Sequence, residues 1–356
     1  MSNIKNTVDW SVPKPQNELS DAFIEFRNRI EKYDLVEHKD AKSTSIHNIN
    51  GDRPLTAADK AFYLLFNHIS NNIMSNQDIL LQDNIEVSDF ILAKERFESL
   101  WSQRFLETTS SPSRVMCDMF WMSLPWEKIE NTIGPLKIAD LGCGKGQYLK
   151  LLRNCTAGIR DYRGFDHQPR REWSQCQAWG LAHDVNTQFE TIDLETTSIM
   201  SALTTPPADT NLIISQSFME HIKNDLEVFE DLRDFMLKRT RPTMQVHLLV
   251  ASAAAPLFLL HGYRQYGIYA LKQITDLYRD PRFELKLYKL ADGLSNKVHF
   301  EYITDPIYLK NSVDGRETAP DAYRKALKNA LLEDMTTPIE DPSFWALVIE
   351  TRSAAS

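Results

Sequence analysis

The chain of 356 residues has a formal net charge of −9, and 42% of its residues are hydrophobic. Such a length can bury a large core in one large or two moderate domains, and the acidic balance argues against a broad electrostatic footprint on nucleic acid. Apolar runs stay shorter than the roughly 18 residues of a membrane span, residues 1–15 have no signal-peptide core, and the four cysteines form no C-x-x-C pair. We therefore predict a soluble, cytoplasmic protein with free thiols and no membrane partner, and its acidic balance disfavours a nucleic-acid partner.

Residues 1–130 are predicted to form an N-terminal helical cap. Helical periodicity covers Glu18–Tyr33, Thr56–Met74 and Val87–Leu106, and polar stretches separate these segments. The segment Arg114–Trp126 is rich in Met, Phe and Trp and is expected to pack the cap onto the rest of the protein. Strand alternation and glycine motifs are not found among these segments.

A short apolar strand that begins near Lys137 runs directly into an acid and three glycines at alternate positions. These residues are Asp140, Gly142, Gly144 and Gly146. Because a glycine has no Cβ, the backbone amides of such a turn can approach a ligand closely. The following residues, Gln147 to Leu152, have the apolar spacing of a helix. The sequence therefore predicts a ligand-binding turn between a strand and a helix.

Three other interpretations of this turn were weighed. A phosphate-binding P-loop requires G-x-x-x-x-G-K-[ST], but here Lys145 lies between two glycines. A dinucleotide-binding turn requires G-x-G-x-x-G, whose third glycine would stand where the chain has Gln147. The spacing disfavours both. An ordinary strand-to-helix turn without a ligand is the third interpretation.

The turn resembles the first motif of the class I S-adenosylmethionine (SAM) dependent methyltransferases. The resemblance covers roughly residues 130–290 and the final strand. It implies an α/β fold with a Rossmann-like sheet, mostly parallel with an antiparallel edge hairpin, in a SAM-binding domain at residues 131–356. SAM is the cofactor that it implies, and no metal site is predicted.

Two further strands carry acids that fit this resemblance. The predicted strand Tyr162–Asp166 ends about 20 residues beyond the last glycine, the distance at which a βαβ unit presents a carboxylate to a ribose. In the predicted strand Thr187–Leu194, the resemblance places Asp193 near an adenine amino group, although a solvated aspartate at a strand end explains it equally well. The predicted cofactor-binding residues are Asp140, Gly142, Cys143, Gly144, Gly146, Asp166, His167, Asp193, Leu194 and Ser215.

The fourth predicted strand, Asn211–Ser215, leads into a segment that bears on the acceptor. Methyltransferases that modify exocyclic amino groups carry an Asp/Asn/Ser-Pro-Pro-aromatic tetrad here, and this chain has Ser-Gln-Ser-Phe without prolines. Its Ser-x4-Glu-His pattern resembles the corresponding segment of small-molecule methyltransferases. Glu220 and His221 fit the first turn of a helix equally well.

The segment Pro256–Gly267, which follows the predicted strand Gln245–Val250, carries clustered polar and aromatic residues. It resembles the acceptor-contacting segment of several small-molecule methyltransferases. We predict that it binds the acceptor through Tyr263, Arg264 and Tyr266. The alternative is that the tyrosines pack in the core and the arginine forms a surface ion pair.

The last two predicted strands, Phe283–Tyr288 and Phe344–Glu350, are expected to form the edge hairpin. Roughly fifty residues separate them, far more than a normal connection. This stretch contains a strand-like run, Val298–Tyr302, and a helical run, Ala322–Leu332. We predict an insertion at about residues 293–340 that serves as a lid or an oligomerisation element.

These features together predict transfer of a methyl group from SAM to a small-molecule acceptor, favouring a hydroxyl of a saccharide or a secondary metabolite. Alignment of donor and acceptor supplies most of the catalysis, and an alcohol also needs a base. His261 and His221 are the candidate catalytic bases, because histidine titrates near working pH. The alternatives are a nucleic-acid or protein methyltransferase and a non-catalytic SAM-fold protein that binds or regulates a partner. A homodimeric state is left open.

Overall fold

The structure, a computed structural model, describes residues 81, 85–104, 110–194, 196–204, 209–254, 257, 265–309 and 312–351. Two of the three predicted cap helices, Glu18–Tyr33 and Thr56–Met74, therefore lie outside the described residues, as do the candidate site residues His261, Tyr263 and Arg264. None of the helices in the described part is both long and apolar enough to cross a membrane.

Strands and helices alternate through most of the described residues. The strands are β1 Ile85–Asp89, β2 Leu136–Leu141, β3 Ile159–Asp166, β4 Asn186–Thr191, β5 Leu212–Gln216, β6 Met244–Val250, β7 Phe283–Leu290 and β8 Phe344–Thr351. The α-helices are α1 Lys94–Gln103, α2 Pro112–Ser123, α3 Trp126–Ile133, α4 Gln147–Cys155, α5 Trp173–Ala182, α6 Ile199–Thr204, α7 Asp225–Leu237, α8 Ile268–Asp276, α9 Gly293–His299, α10 Gly315–Thr318 and α11 Pro320–Asp334. Single turns of 3-10 helix stand at Met219–His221 and Ser252–Ala254, and a π-helix spans Phe300–Leu309.

The strands form one sheet in the order β1-β7-β8-β6-β5-β2-β3-β4. Every neighbouring pair is parallel except β6 with β8 and β7 with β8, since β8 runs antiparallel to both of its neighbours. The predicted α/β fold with a Rossmann-like, mostly parallel sheet is confirmed. The chain passes from β2 to β3 on one side and reaches β5 on the other, so the crevice between the carboxyl ends of β2 and β5 is the switch point where such sheets bind ligands.

The seven strands predicted from apolar runs are present as β2 to β8, and an eighth strand lies outside the predicted antiparallel hairpin. The antiparallel pair of β7 and β8 does not form the edge, because β1 adds outside it and pairs in parallel with β7, with Val87 opposite Leu287. The helix predicted over Val87–Leu106 is accordingly wrong at its beginning, and the helical part is α1. Ile85 and Val87 alternate with polar residues, which suits a strand once a partner strand is available.

Two hydrophobic cores cover the two faces of the sheet. On one face, α1 to α4 and α11 pack through residues such as Phe97, Trp121 and Leu331. On the other face, α6, α7 and α8 pack through residues such as Phe229 and Leu271. Every residue of β6 is buried, as expected for a central strand that is covered on both sides. The described part is therefore a three-layer α/β/α structure.

The stretch between β7 and β8 is helical. The strand predicted at Val298–Tyr302 is wrong, because the side chain of Asp292 accepts a hydrogen bond from the N–H of Gly293 and begins helix α9, which continues into the π-helix. The helix predicted at Ala322–Leu332 is confirmed as α11. This stretch packs against the described residues before β2, since the Tyr323 hydroxyl donates to the Ser110 carbonyl oxygen at 2.5 Å.

Candidate functional site

The glycine turn follows β2 at the carboxyl edge of the sheet, beside the switch point. All three of its glycines have left-handed backbone conformations, with φ of +69° at Gly142, +52° at Gly144 and +76° at Gly146. Side chains with a Cβ rarely adopt this conformation, and Gly146 uses it to begin helix α4. The turn therefore requires glycine for its backbone shape alone.

The surroundings of the three glycines differ. A Cβ at Gly142 would lie 2.1 Å from Cδ2 of Phe218, and a Cβ at Gly146 would lie 2.6 Å from Cζ of Phe189. A Cβ at Gly144 would meet no atom within 4 Å. Two of the glycines are thus required by the protein's own aromatic rings, and Gly144 is the one that opens onto free space. Sequence reasoning did not identify Phe218 or Phe189, because neither lies near the turn in the chain.

Hydrogen bonds to two other elements, β3 and α5, fix the turn around Gly144. Its N–H donates to Oδ2 of Asp166 at 2.9 Å, and its carbonyl oxygen accepts from Nε1 of Trp173 at 2.8 Å. The N–H of Cys143 donates to the Phe165 carbonyl oxygen at 2.9 Å. Trp173 in turn stacks on Phe189, with ring centroids 5.1 Å apart. The turn is therefore held rigidly before any ligand binds, which lowers the entropic cost of binding.

The Cys143 side chain is buried inside the turn. Burial raises the pKa of its thiol far above the ordinary value, so it is protonated and not nucleophilic at neutral pH. Cys143 therefore serves as a small filler within the turn.

Asp166 stands at the end of β3, as predicted from the spacing. Its Oδ1 lies 3.1 Å from both Nη2 of Arg170 and Nδ1 of His167. Burial works to raise the pKa of this carboxyl, but His167, Arg170 and the backbone N–H groups of Gln168 and Gly144 outweigh it and hold the pKa below its ordinary value. The Asp166 carboxylate is therefore ionised beside the open side of the turn.

Asp140, the acid at the end of β2, is almost completely buried. It accepts a hydrogen bond from the hydroxyl of Tyr162 on β3. Burial raises the pKa of the Asp140 carboxyl to about 7. Its charge state can therefore respond to a ligand that brings a charge close to it.

Asp193 and Leu194 follow β4, which ends three residues before the predicted strand does. The carbonyl oxygen of Asp193 accepts from the N–H groups of Thr196 at 3.2 Å and Thr197 at 2.9 Å, so the chain turns here. The Asp193 side chain is exposed, and Leu194 packs partly against the core. Both residues stand at the same edge of the sheet as Asp166, and their contacts with an adenine stay a prediction.

The Ser215 side chain, near the end of β5, points into the sheet's interior. Its hydroxyl lies 2.8 Å from Nδ1 of His247, whose Nε2 lies 2.9 Å from Oε1 of Gln245. Burial lowers the pKa of His247 to about 3, so the ring is neutral, and the Gln245 oxygen requires the proton on Nε2. The Ser215 hydroxyl therefore donates to Nδ1. Its side chain is committed to this network, and its predicted contact with the cofactor stays a prediction.

Ser217, just after β5, has a left-handed φ of +48°. This conformation is unusual for a residue with a Cβ, and it directs the next residue, Phe218, back over Gly142. The strain is therefore located where the loop after β5 meets the loop after β2.

Glu220 and His221 lie in the single 3-10 turn at Met219–His221, so the sequence correctly allowed a helical turn here. Glu220 is fully buried, and burial raises the pKa of its carboxyl to about 8, with the nearby Asp225 adding to the shift. It is therefore mostly protonated at neutral pH. His221 is half-buried at the carboxyl edge of β5, near the predicted acceptor side.

Tyr266 is the one predicted acceptor-binding residue among those that the structure describes. Its side chain is fully buried, and its hydroxyl donates to Oδ2 of Asp225 at 2.7 Å. This position agrees with the alternative of a core tyrosine, and contact with an acceptor stays a prediction.

Helix α2 brings two further side chains to the edge of the sheet. Nη1 of Arg114 donates to the hydroxyl of Tyr148, the second residue of α4, at 2.7 Å. Two turns later, Nε1 of Trp121 donates to Oε1 of Gln216 at the end of β5, at 2.9 Å. The aromatic composition of this segment predicted packing onto the sheet, but nothing in the local sequence indicated that Arg114 would lie beside the glycine turn.

Comparison with known proteins shows likeness in fold. No protein-family model and no curated protein matches the sequence. A putative sarcosine dimethylglycine methyltransferase from Galdieria sulphuraria is 13% identical over 73% of this chain and 97% of that chain, with a TM-score of 0.41. An S-adenosylmethionine dependent methyltransferase from Mesorhizobium loti is 15% identical over 64% and 97%, with a TM-score of 0.37. The small RNA methyltransferase HEN1 is 12% identical over 71% and 27%, with a TM-score of 0.42.

Proposed function

We propose that this protein is a SAM-dependent methyltransferase that transfers a methyl group to a small-molecule acceptor, favouring a hydroxyl group. The observation that carries the proposal is the glycine turn at the switch point of the sheet. Its central glycine, Gly144, faces free space, and the N–H of Gly144 donates a hydrogen bond to the ionised carboxylate of Asp166. Open space at the turn and an acid are thus presented together at the place where this class of sheet binds ligands.

The residues at the turn fit an adenosyl ligand with an amino-acid tail. Asp166 is ionised and can accept from the two hydroxyls of a ribose. The open side of Gly144 accommodates the part of the ligand that a side chain would block. Asp140, near the end of β2 and just before the glycines, adds a buried carboxyl group. When bound, SAM supplies a methyl group on a sulfonium that is already activated for displacement.

The chain's own contribution is alignment and proton handling. Rigid placement of the turn by Asp166 and Trp173 is expected to position the donor, and the loop after β5, which contains the left-handed Ser217, is expected to position the acceptor. His221 is a candidate base because it lies at the end of β5 and histidine titrates near neutral pH. The predicted base His261 lies outside the described residues. Glu220 is disfavoured as a base, because its carboxyl is mostly protonated at pH 7.

One observation favours the alternative of a SAM-fold protein that binds a partner or regulates it without catalysis. The ring of Phe218 lies directly against Gly142, on the side of the turn that faces β5. A ring that stayed there would restrict the space between donor and acceptor. Ligand binding and methyl transfer must therefore be tested separately.

The test measures binding first. Calorimetry with S-adenosylhomocysteine should show binding to the wild-type protein and none to Gly144→Arg, because a long cation would fill the open side of the turn. Gly134→Arg is the matched control, since Gly134 also has a left-handed φ, of +84°, and a Cβ there also meets no atom within 4 Å, but this glycine follows α3 and precedes β2, whereas the glycine turn follows β2. A wild-type protein that does not bind the ligand would refute the proposal.

Methyl transfer is then followed with SAM labelled in its methyl group and a panel of alcohols, phenols, amines and saccharides. Label in an alcohol, phenol or saccharide supports the proposed acceptor class. Tight cofactor binding with no label transferred to any acceptor would favour the non-catalytic alternative.

A further inference from the structure

Arg114 on helix α2 lies against the two residues that follow the glycine turn. Its guanidinium donates to the Tyr148 hydroxyl at 2.7 Å and lies 5.3 Å from the centre of that ring. The amide oxygen of Gln147, in the orientation that turns it towards the guanidinium, lies 2.6 Å from Nη1 and 3.0 Å from Nη2. Both of these partners are neutral.

The charges around Arg114 are unbalanced. Asp118, one turn further along α2, forms its ion pair with Arg104, through Nη2 at 3.0 Å and Nε at 3.3 Å. Within the described part of the chain, Arg114 has no ion-pair partner of its own. Two guanidinium groups therefore share one carboxylate in a largely buried cluster. This largely buried cluster holds more positive than negative charge, and an anionic ligand beside Arg114 would balance it.

The buried acid of the turn complements this positive charge. Arg114 is close enough to Asp140 to act electrostatically on it, although burial is the larger effect and raises the pKa of Asp140 to about 7. Asp140 accepts a hydrogen bond from the Tyr162 hydroxyl, and the structure has no ion pair between Asp140 and Arg114 among the described residues. An unpaired cation and an unpaired acid on the two sides of one turn are complementary to a zwitterion, whose carboxylate faces the cation and whose ammonium faces the acid.

Helix α4 strengthens the preference for an anion near Arg114. The helix begins at Gln147 without a side-chain cap, because its N-cap residue is Gly146. The first N–H groups of a helix and its dipole both favour negative charge at this end. The guanidinium and the uncapped helix end thus meet at the same place.

We propose that Arg114 binds the carboxylate of the amino-acid tail of SAM. The proposal rests on the proposed function and adds a ligand-binding residue to the turn. An anionic acceptor is the other source of a carboxylate, but the acceptor is expected at β5. There α2 contributes Trp121, which lies about 10 Å further along the helix axis than Arg114.

The experiment compares two ligands that differ in this tail. S-adenosylhomocysteine has the carboxylate and the ammonium, whereas 5′-methylthioadenosine has the same adenosine and thioether with neither group. In calorimetry, Arg114→Gln should weaken binding of S-adenosylhomocysteine by roughly 10- to 100-fold, as expected for loss of a charge-assisted hydrogen bond. Binding of 5′-methylthioadenosine should not change. Arg114→Lys should lie between the wild type and Arg114→Gln, because it retains the charge and loses the planar fork.

Arg96→Gln is the matched control. It removes an equal charge from an exposed arginine on α1, and the affinity for both ligands should stay at the wild-type value. Thermal unfolding of each variant checks that it is folded. If Arg114→Gln does not fold, the same comparison of the two ligands with Arg114→Lys decides.

Each outcome separates this inference from the proposed function. A wild-type protein that binds neither ligand refutes both. Wild-type binding of both ligands, with affinities that Arg114 variants leave unchanged or lower equally, overturns the role of Arg114 and leaves the proposed function standing. Selective loss of S-adenosylhomocysteine binding supports the proposal and excludes an anionic acceptor as the partner of Arg114.

Discussion

Alanine at Gly142 and alanine at Gly144 should destabilise the protein by different amounts, although the two glycines share one turn. Both have a left-handed φ, so each alanine incurs backbone strain of roughly 1–2 kcal/mol. Only the Cβ at Gly142 would also overlap Phe218, at 2.1 Å from Cδ2, 2.2 Å from Cγ and 2.7 Å from its Cβ. Overpacking of this kind adds about 1–3 kcal/mol, unless the ring moves.

We therefore expect a loss of unfolding free energy of about 2–5 kcal/mol for Gly142→Ala and about 1–2 kcal/mol for Gly144→Ala. Urea unfolding followed by tryptophan fluorescence measures both. Repeating Gly142→Ala in a Phe218→Ala background should reduce its cost, because the ring is then absent and only the contact at 2.7 Å with the Cβ of residue 218 remains beside the backbone strain.

Equal costs for the two alanines would refute this account of the turn. So would a cost of Gly142→Ala that is the same with and without the Phe218 ring. Either result would mean that the ring does not occupy the position beside Gly142 in solution.

Three further predictions concern buried ionisable groups. Burial lowers the pKa values of His247 and His299 to about 3, so both rings are neutral in the folded protein. The free energy of unfolding should therefore be highest above pH 6.5 and fall by up to about 5 kcal/mol for each histidine as the pH decreases towards 3. Measuring the free energy of unfolding across this pH range tests the prediction. Burial raises the pKa of Glu220 to about 8, so the free energy of unfolding should decrease as the pH rises from 4.5 through 8. Glu220→Gln should remove this part of the pH dependence of the free energy of unfolding. Arg104→Ala should lower the free energy of unfolding by about 3–5 kcal/mol, because it leaves Asp118 buried beside only the more distant charge of Arg114. Urea unfolding measures this loss, and a much smaller value would contradict the importance of the ion pair.

The sheet could be predicted because its central strands carry their own signal. Strands such as Met244–Val250 are buried on both faces and appear as continuous apolar runs. Strand β1 has no such signal, since it is five residues long and two of them are exposed. Its pairing with β7 depends on residues about two hundred positions away, which a local pattern cannot contain.

The candidate site likewise contains residues with a local sequence signal and residues without one. Asp140 and Asp166 were predicted because the strand ends and the spacing of a βαβ unit fix their positions. Arg114, Phe218 and Trp173 were missed, because each reaches the turn from another element and is locally indistinguishable from a packing or surface residue. The motif therefore located the glycine turn, and only the three-dimensional structure shows which side chains shape and charge it.

The position of β8 has a consequence for how the protein is made. Among the strands that the structure describes, β8 is the last in chain order, yet it lies between β6 and β7, so in this described sheet β1 and β7 join the other strands only through it. Until the ribosome has synthesised Phe344–Thr351, the nascent sheet exists as two separate pieces with unpaired edges. Such edges are prone to misassociation, and pairings so distant in sequence form slowly. Productive assembly must therefore wait until translation has reached this final strand.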